Sequence, residues 1–169
     1  MTFNWIKYCK HQHDVVCNQK YDTIHSYSFH LALVDVQYEK WKHLLDAKEQ
    51  VLAEKAVWGH DLIEDARVTY KDVENRAGTR VADIIFGVTD SQGKTRAERK
   101  DDVFWKRLTA EELSVFVKLC DVIANSTYSM MTGSSMYKKY GQEFPNFKMK
   151  AYTPRFKPMF DHLEKLLSL

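Results

Sequence analysis

A chain of 169 residues with 25 lysines and arginines against 23 aspartates and glutamates carries a net charge of +2, which excludes the basic field of a nucleic-acid-binding domain. At 44% hydrophobic and 13% aromatic residues, with three prolines and six glycines, the composition is that of an ordinary globular domain with a sizeable core. No apolar run approaches the roughly 18 residues needed to span a bilayer, so neither a membrane nor a nucleic acid is expected as a partner, and the oligomeric state is left open.

The N-terminal "MTFNWIKYCKHQHD" lacks the apolar run of a signal peptide. Cys9, Cys17 and Cys120 are odd in number, widely spread and without CxxC spacing. They are expected to be buried free thiols of a soluble, cytoplasmic protein. "SYSFHLALVDVQYEKW" reads as a helix. "DAKEQVLAEKAVWGHDLIEDA" reads as one long helix with Leu45 or Leu52, Ala56 and Ile63 facing inward. Thr69 with Asp72 marks the next helix start. "RVADIIFGVTD" contains a strand-like apolar run, but it lies between helical segments and has no pairing partner, so helix is predicted. "TDSQGKTRAERKDD" is a polar loop leading into a helix. Thr109 with Glu112 predicts a capping box, after which Leu113, Phe116, Val117, Cys120 and Ala124 form one apolar stripe. Thr153–Pro154 opens a C-terminal helix whose first turn Pro158 delays or distorts. The expected fold class is all-α, a single helical bundle of roughly eight helices over residues 1–169.

Within "WGHDLIEDARVTYKDV", residues 58–73, one histidine and three acids fall inside six positions. On a helix, residues four apart share a face, so His60 aligns with Glu64 and Asp61 with Asp65. A buried ionised carboxylate is costly unless it is paired or bound to a metal. Imidazole and carboxylate together suit a divalent cation such as manganese or zinc. One helical turn rarely completes a coordination sphere, and Asp121 and His30, each on an apolar stripe of its own helix, are candidates for the rest. The plainer reading stays open at this point: a core histidine held by a hydrogen bond, and an Asp121 that caps a helix or pairs with a lysine. His13–Asp14 is a second HD dipeptide in the same chain.

Four pieces in order carry a resemblance. "YSFH" at Tyr27–His30, "HDLIED" at His60–Asp65, "VADIIFGVTD" with the "ERK" of "RAERKDD", and "KLCDVIAN" ending at Asn125 are similar to motifs of the RelA/SpoT-type alarmone hydrolases, a branch of the HD-domain metal phosphohydrolases. The resemblance implies a helical HD fold with one divalent ion, manganese, held by His30, His60, Asp61 and Asp121. It implies hydrolysis of the 3′-pyrophosphate of guanosine tetra- or pentaphosphate to GDP or GTP and pyrophosphate. Glu64 and Asp65 match the catalytic acidic pair: Glu64 would orient or deprotonate water, and Asp65 would assist proton transfer or orient the same water. Asn125, Arg99 and Lys100 match substrate-side positions, with Arg96 as a further cation for the phosphates. Lys20 and Tyr27 would line a guanine slot, together with an aromatic such as Tyr137 or Tyr140.

The chain departs from the family pattern at Leu31, where proline is usual, at Ala66, where threonine is, and at Gln19–Lys20, where the family has glutamine and arginine. Lysine lacks arginine's planar fork. The alternatives are therefore an HD phosphohydrolase acting on another nucleotide or dinucleotide, and a non-catalytic alarmone-binding domain.

Overall fold

The computed structural model describes residues 3–168. Eleven α-helical segments follow in order: α1 (Trp5–His11), α2 (Tyr27–Trp41), α3 (Ala47–Gly59), α4 (Leu62–Asp65), α5 (Tyr70–Ala77), α6 (Thr79–Val88), α7 (Arg96–Arg99), α8 (Asp102–Ala110), α9 (Glu112–Met131), α10 (Met136–Ala151) and α11 (Lys157–Leu167). The number exceeds the expected eight partly because α4 and α7 are single turns. A π-helical turn, Gln12–Val16, continues α1. Among the described residues no strand forms; the only β pairing is an isolated bridge between Lys20 and Ser26.

The bundle is organised around α9, which contacts α2, α3, α6, α8, α10 and α11. The reason lies in its sequence: Leu113, Phe116, Val117, Cys120 and Ala124 are all buried, as the stripe predicts. So are Val81, Ala82, Ile84 and Ile85 of α6, which settles "RVADIIFGVTD" as helix.

Three local expectations are corrected. Thr109 does not cap α9; it lies inside α8 and its hydroxyl bonds back to the Trp105 carbonyl, while Glu111 caps α9 by accepting from the Leu113 amide. The predicted long helix is broken after Gly59, at His60–Asp61, although the Asp65 amide still donates to the Asp61 carbonyl. Within this region Leu62 is fully buried whereas Ile63 is only partly so. Cys17 is half-buried rather than buried; all three thiols are free. The Thr69–Asp72 capping box is present, and Pro154 opens a short 3₁₀ turn before α11, which starts at Lys157 as Pro158 requires.

Gly59 permits close packing in the bundle core. A Cβ there would stand 2.7 Å from the Trp5 ring and 2.8 Å from the Ile85 side chain. Trp5 is held in place by its indole N–H, which donates to the Lys55 carbonyl at 2.8 Å. Helices α1 and α6 thus close on the chain immediately before His60. Gly59→Ala is expected to lower stability by about 1–3 kcal/mol through overpacking, measured by urea unfolding. A variant as stable as the parent would show that Trp5 and Ile85 move aside freely.

Candidate active site

His30, from α2, His60 and Asp61, from the break between α3 and α4, and Asp121, from α9, meet at one point. Ligand atoms of His30, His60 and Asp121 lie within 4.8 Å of one another, a group that can hold a metal ion. The Nε2 atoms of His30 and His60 face each other at 3.2 Å. Asp61 Oδ2 approaches them at 3.4 Å and 2.9 Å, and Asp121 Oδ1 at 3.4 Å and 3.8 Å. His60 Nδ1 is 2.8 Å from the Val57 carbonyl, to which it donates, so its neutral tautomer presents a lone pair at Nε2. Two facing ring nitrogens need a proton or a cation between them. Two imidazoles and two carboxylates suit a divalent ion, so the donor set fits a metal.

Burial works against charge on His30, but hydrogen bonds to Asp121 and Asp61 outweigh it and push the pKa up to about 9. Burial likewise opposes ionisation of Asp61 and Asp121. It is outweighed by His60 and His30 at Asp61, and by Lys118 and both histidines at Asp121, so both carboxyls stay below their ordinary range. His30 titrates in the folded state above its ordinary 6.5, so its contribution to the metal-free fold is complete below pH 6.5 and is lost as pH rises through about 9. Cation binding near neutral pH must then expel a proton. Calorimetry at pH 7 in two buffers of different ionisation heat is expected to show proton release as the ion binds, with affinity rising toward pH 9. Equal heats in the two buffers would show that His30 is already neutral.

The metal group sits in the wall of a cavity of about 480 Å³, a volume that accommodates a nucleotide. Glu64 and Asp65 line it, as do Tyr27, Arg96, Arg99, Lys100, Asn125 and Tyr140. Glu64 is half-buried and accepts from the Asp90 amide at 3.0 Å, with an Arg99 nitrogen 3.9 Å away. Burial pushes its carboxyl up against the pull of Lys118, and Asp61 and Asp90 add to the rise. Asp65 is exposed and accepts from Gln19 at 3.1 Å and from the Tyr27 hydroxyl at 3.3 Å. Tyr27 also donates to Asp61 at 2.5 Å. The Asn125 amide donates to Asp121 at 2.6 Å, and its oxygen accepts from the Tyr21 hydroxyl at 2.8 Å.

Two expected residues fall elsewhere. Lys20 is exposed and is not in the cavity wall, because the bridge to Ser26 turns it outward. Tyr137 donates to the Leu166 carbonyl, a packing contact between α10 and the end of α11. Gln19, beside Lys20, is engaged within the fold: its oxygen is 2.7 Å from His13 Nδ1 and its amide donates to Asp65.

Of the cavity residues that escaped the sequence reading, three bear most on the site. Lys118 is buried with its ammonium 3.1 Å from Asp121. Burial opposes its charge, but Asp121, Asp90, Glu64 and Asp61 outweigh it and hold the lysine protonated. The signal was available, since a lysine three residues before Asp121 sits on the same buried helix. Tyr21 stacks on the His30 ring at 4.9 Å, and no spacing announces it. Glu143 lies on α10, far in sequence from every motif.

The fold is shared with a solved structure. The fold is that of the structure described as a metazoan ortholog of SpoT that hydrolyzes ppGpp and plays a role in starvation responses: TM-score 0.70 at 18% identity, covering 100% of this chain and 99% of that one. Among curated proteins, the chain is similar to the guanosine-3′,5′-bis(diphosphate) 3′-pyrophosphohydrolase MESH1 of Danio rerio, with 33% identity over 66 residues. That match covers 39% of this chain and 37% of the relative, little more than a third of its length. No family model matches the chain. No helix among the described residues is long and apolar enough to cross a membrane.

Proposed function

We propose that this chain is a cytoplasmic, manganese-dependent phosphohydrolase that removes the 3′-pyrophosphate of guanosine tetra- or pentaphosphate, releasing GDP or GTP and pyrophosphate. The observation that carries the reading is the close approach of His30, His60, Asp61 and Asp121 beside a cavity lined by the half-buried Glu64 and the cations Arg99, Lys100 and Lys118. The substrate is suggested by the curated relative, named as a 3′-pyrophosphohydrolase of the alarmone, and by the solved structure described as hydrolysing ppGpp.

When bound, a divalent ion supplies Lewis-acid polarisation of a phosphoryl oxygen and a lowered pKa for water. The protein's own residues do the rest. Arg99 and Lys100 on the loop, and Lys118 from α9, neutralise the pyrophosphate. Glu64 accepts the proton of the attacking water; its raised pKa suits a general base working near neutrality. The proton taken by Glu64 is relayed to the departing ribose oxygen through Asp65, which is exposed to the cavity and held by Gln19 and Tyr27. Water thus adds hydroxide to phosphorus and a proton to the 3′-oxygen. Asn125, fixed between Tyr21 and Asp121, aligns the ribose.

One observation favours a second reading, hydrolysis of a different nucleotide or dinucleotide by the same centre: Lys20 and Gln19 leave the expected base slot without a forked cation. A turnover assay decides between them. The manganese-loaded protein is offered guanosine tetraphosphate beside a nucleotide and dinucleotide panel, with pyrophosphate and orthophosphate followed separately. Pyrophosphate from the alarmone is expected. Orthophosphate from another nucleotide, with the alarmone untouched, overturns the substrate and keeps the centre; no turnover of any compound leaves a binding domain.

A further inference from the structure

In the cavity wall Arg96 grips Glu143 with a two-pronged contact. Its Nε donates to Oε1 at 2.8 Å and its Nη2 to Oε2 at 2.9 Å. The same guanidinium lies over the Tyr140 ring, 5.7 Å from its centroid. Carboxylate and aromatic ring belong to α10, one turn apart, and both face the cavity. A planar group with two parallel N–H donors on one edge therefore already occupies a pocket made of a carboxylate and an aromatic face.

Guanine has that same edge. Its N1–H and exocyclic N2–H belong to an N–C–N unit equivalent to the one arginine presents, and its ring has a face to stack. Adenine offers an acceptor at N1, and hypoxanthine lacks the exocyclic amine. We propose that Glu143 reads the base: the Watson–Crick edge of guanine displaces Arg96 from the Glu143 carboxylate and the ring lies against Tyr140. This rests on the guanine-nucleotide reading above and supplies the base contact that Lys20 and Gln19 do not make.

Three facts support the exchange. The side chains of Arg96 and Glu143 are 38% and 36% exposed, so their ion pair is of the kind that contributes little net stability and opens readily. The hydrogen bonds from Arg96, and after them the charges of Lys100 and Lys118, hold the Glu143 carboxyl below its ordinary range; the two lysines remain when Arg96 swings away and keep it a double acceptor. Of the other acids of the wall, Asp61, Asp121, Glu64 and Asp65 are engaged on the metal side, which leaves Asp90, with its Oδ1 buried and unpartnered, as the one further carboxylate among the described lining residues. Arg96, once released, lies on the same loop as Arg99 and Lys100 and adds a third cation for the phosphates.

The test compares GDP with IDP, which differ only in the exocyclic amine. Dissociation constants are measured with the full-length, manganese-loaded protein, its Glu143→Gln variant and its Arg96→Ala variant. Rates with guanosine and inosine tetraphosphates are measured in parallel. The parent is expected to favour the guanine compounds by about tenfold or more, the worth of a hydrogen bond to a charged group. Glu143→Gln should bring the ratio close to one, whereas Arg96→Ala, which breaks the same ion pair and exposes any structural cost, should keep it. A parent that binds GDP and IDP alike overturns the proposal. So does a Glu143→Gln variant that weakens both equally, since Glu143 would then serve only as a strut for Arg96. Guanine preference that depends on Glu143 without hydrolysis of the tetraphosphate would sustain the base contact and defeat the reaction assigned above. Hydrolysis without preference would do the reverse.

Discussion

Glu64→Ala yields a protein that still takes up its metal and turns over substrate about 10²–10⁴-fold more slowly, the range that a positioned general base supplies. The expectation follows from where Glu64 stands. It reaches the cavity beside the metal donors but belongs to none of the contacts among His30, His60, Asp61 and Asp121. Its partners are the Asp90 amide and, more distantly, Arg99, so its removal leaves the donor set intact. The contrast is Asp61→Ala or Asp121→Ala, each of which removes a carboxylate from between the histidines and is expected to lose the ion itself. Metal content by elemental analysis, read beside the turnover number, separates the two outcomes. Full activity in Glu64→Ala would show that another group takes the proton, and full metal occupancy in Asp121→Ala would remove that residue from the donor set.

Lys118→Met lowers the stability of the metal-free protein by about 3–5 kcal/mol, the cost of leaving a buried charge without its partner. For a chain of this size that is a fall in Tm on the order of ten degrees. Lys118 is surrounded by Asp121 at 3.1 Å and by the fields of Asp90, Glu64 and Asp61. Methionine keeps much of the apolar stem and removes only the charge. A divalent cation restores positive charge at the same place, so added manganese should recover part of the loss. Thermal melts with and without the ion, at high and low salt, check this. A metal-free variant as stable as the parent would show that the acids neutralise themselves by taking up protons.

Several elements were legible in the sequence: α2 and α9 lie where they were expected, α6 is helical as its place between helices without a pairing partner predicts, and the Thr69 capping box is formed. The break at His60–Asp61 was not, because apolar residues continue on both sides and the Asp65-to-Asp61 hydrogen bond preserves the spacing of a helix through a junction that is not one. Thr109 misled because its hydroxyl has two ways to be satisfied, and bonding back to Trp105 prevails over capping. In the site, His60–Asp61 could be read from local spacing, and Asp121 and His30 as polar residues on apolar stripes. Both readings of Asp121 describe the structure at once: it pairs with a lysine, Lys118, and it faces the two histidines. Lys20 was misplaced because its direction depends on the bridge to Ser26, which alternation alone does not reveal. Glu143 and Tyr140 reach the cavity only through the return of α10 across the bundle, information that resides in tertiary packing.

The metal donors come from α2, from the α3–α4 junction and from α9, three stations widely separated along the chain. An ion held there is also a clasp. It ties the first, middle and later parts of the backbone through one atom, closing two long loops that the unfolded chain would have to keep open. Under the proposed function, metal supply would govern how long the molecule survives as well as whether it reacts: at a free concentration one hundred times its dissociation constant, a bound ion adds about 2.7 kcal/mol to the folded state. A cell short of the ion would hold a protein that is both idle and more readily unfolded and degraded, so the amount of enzyme would follow the abundance of its metal.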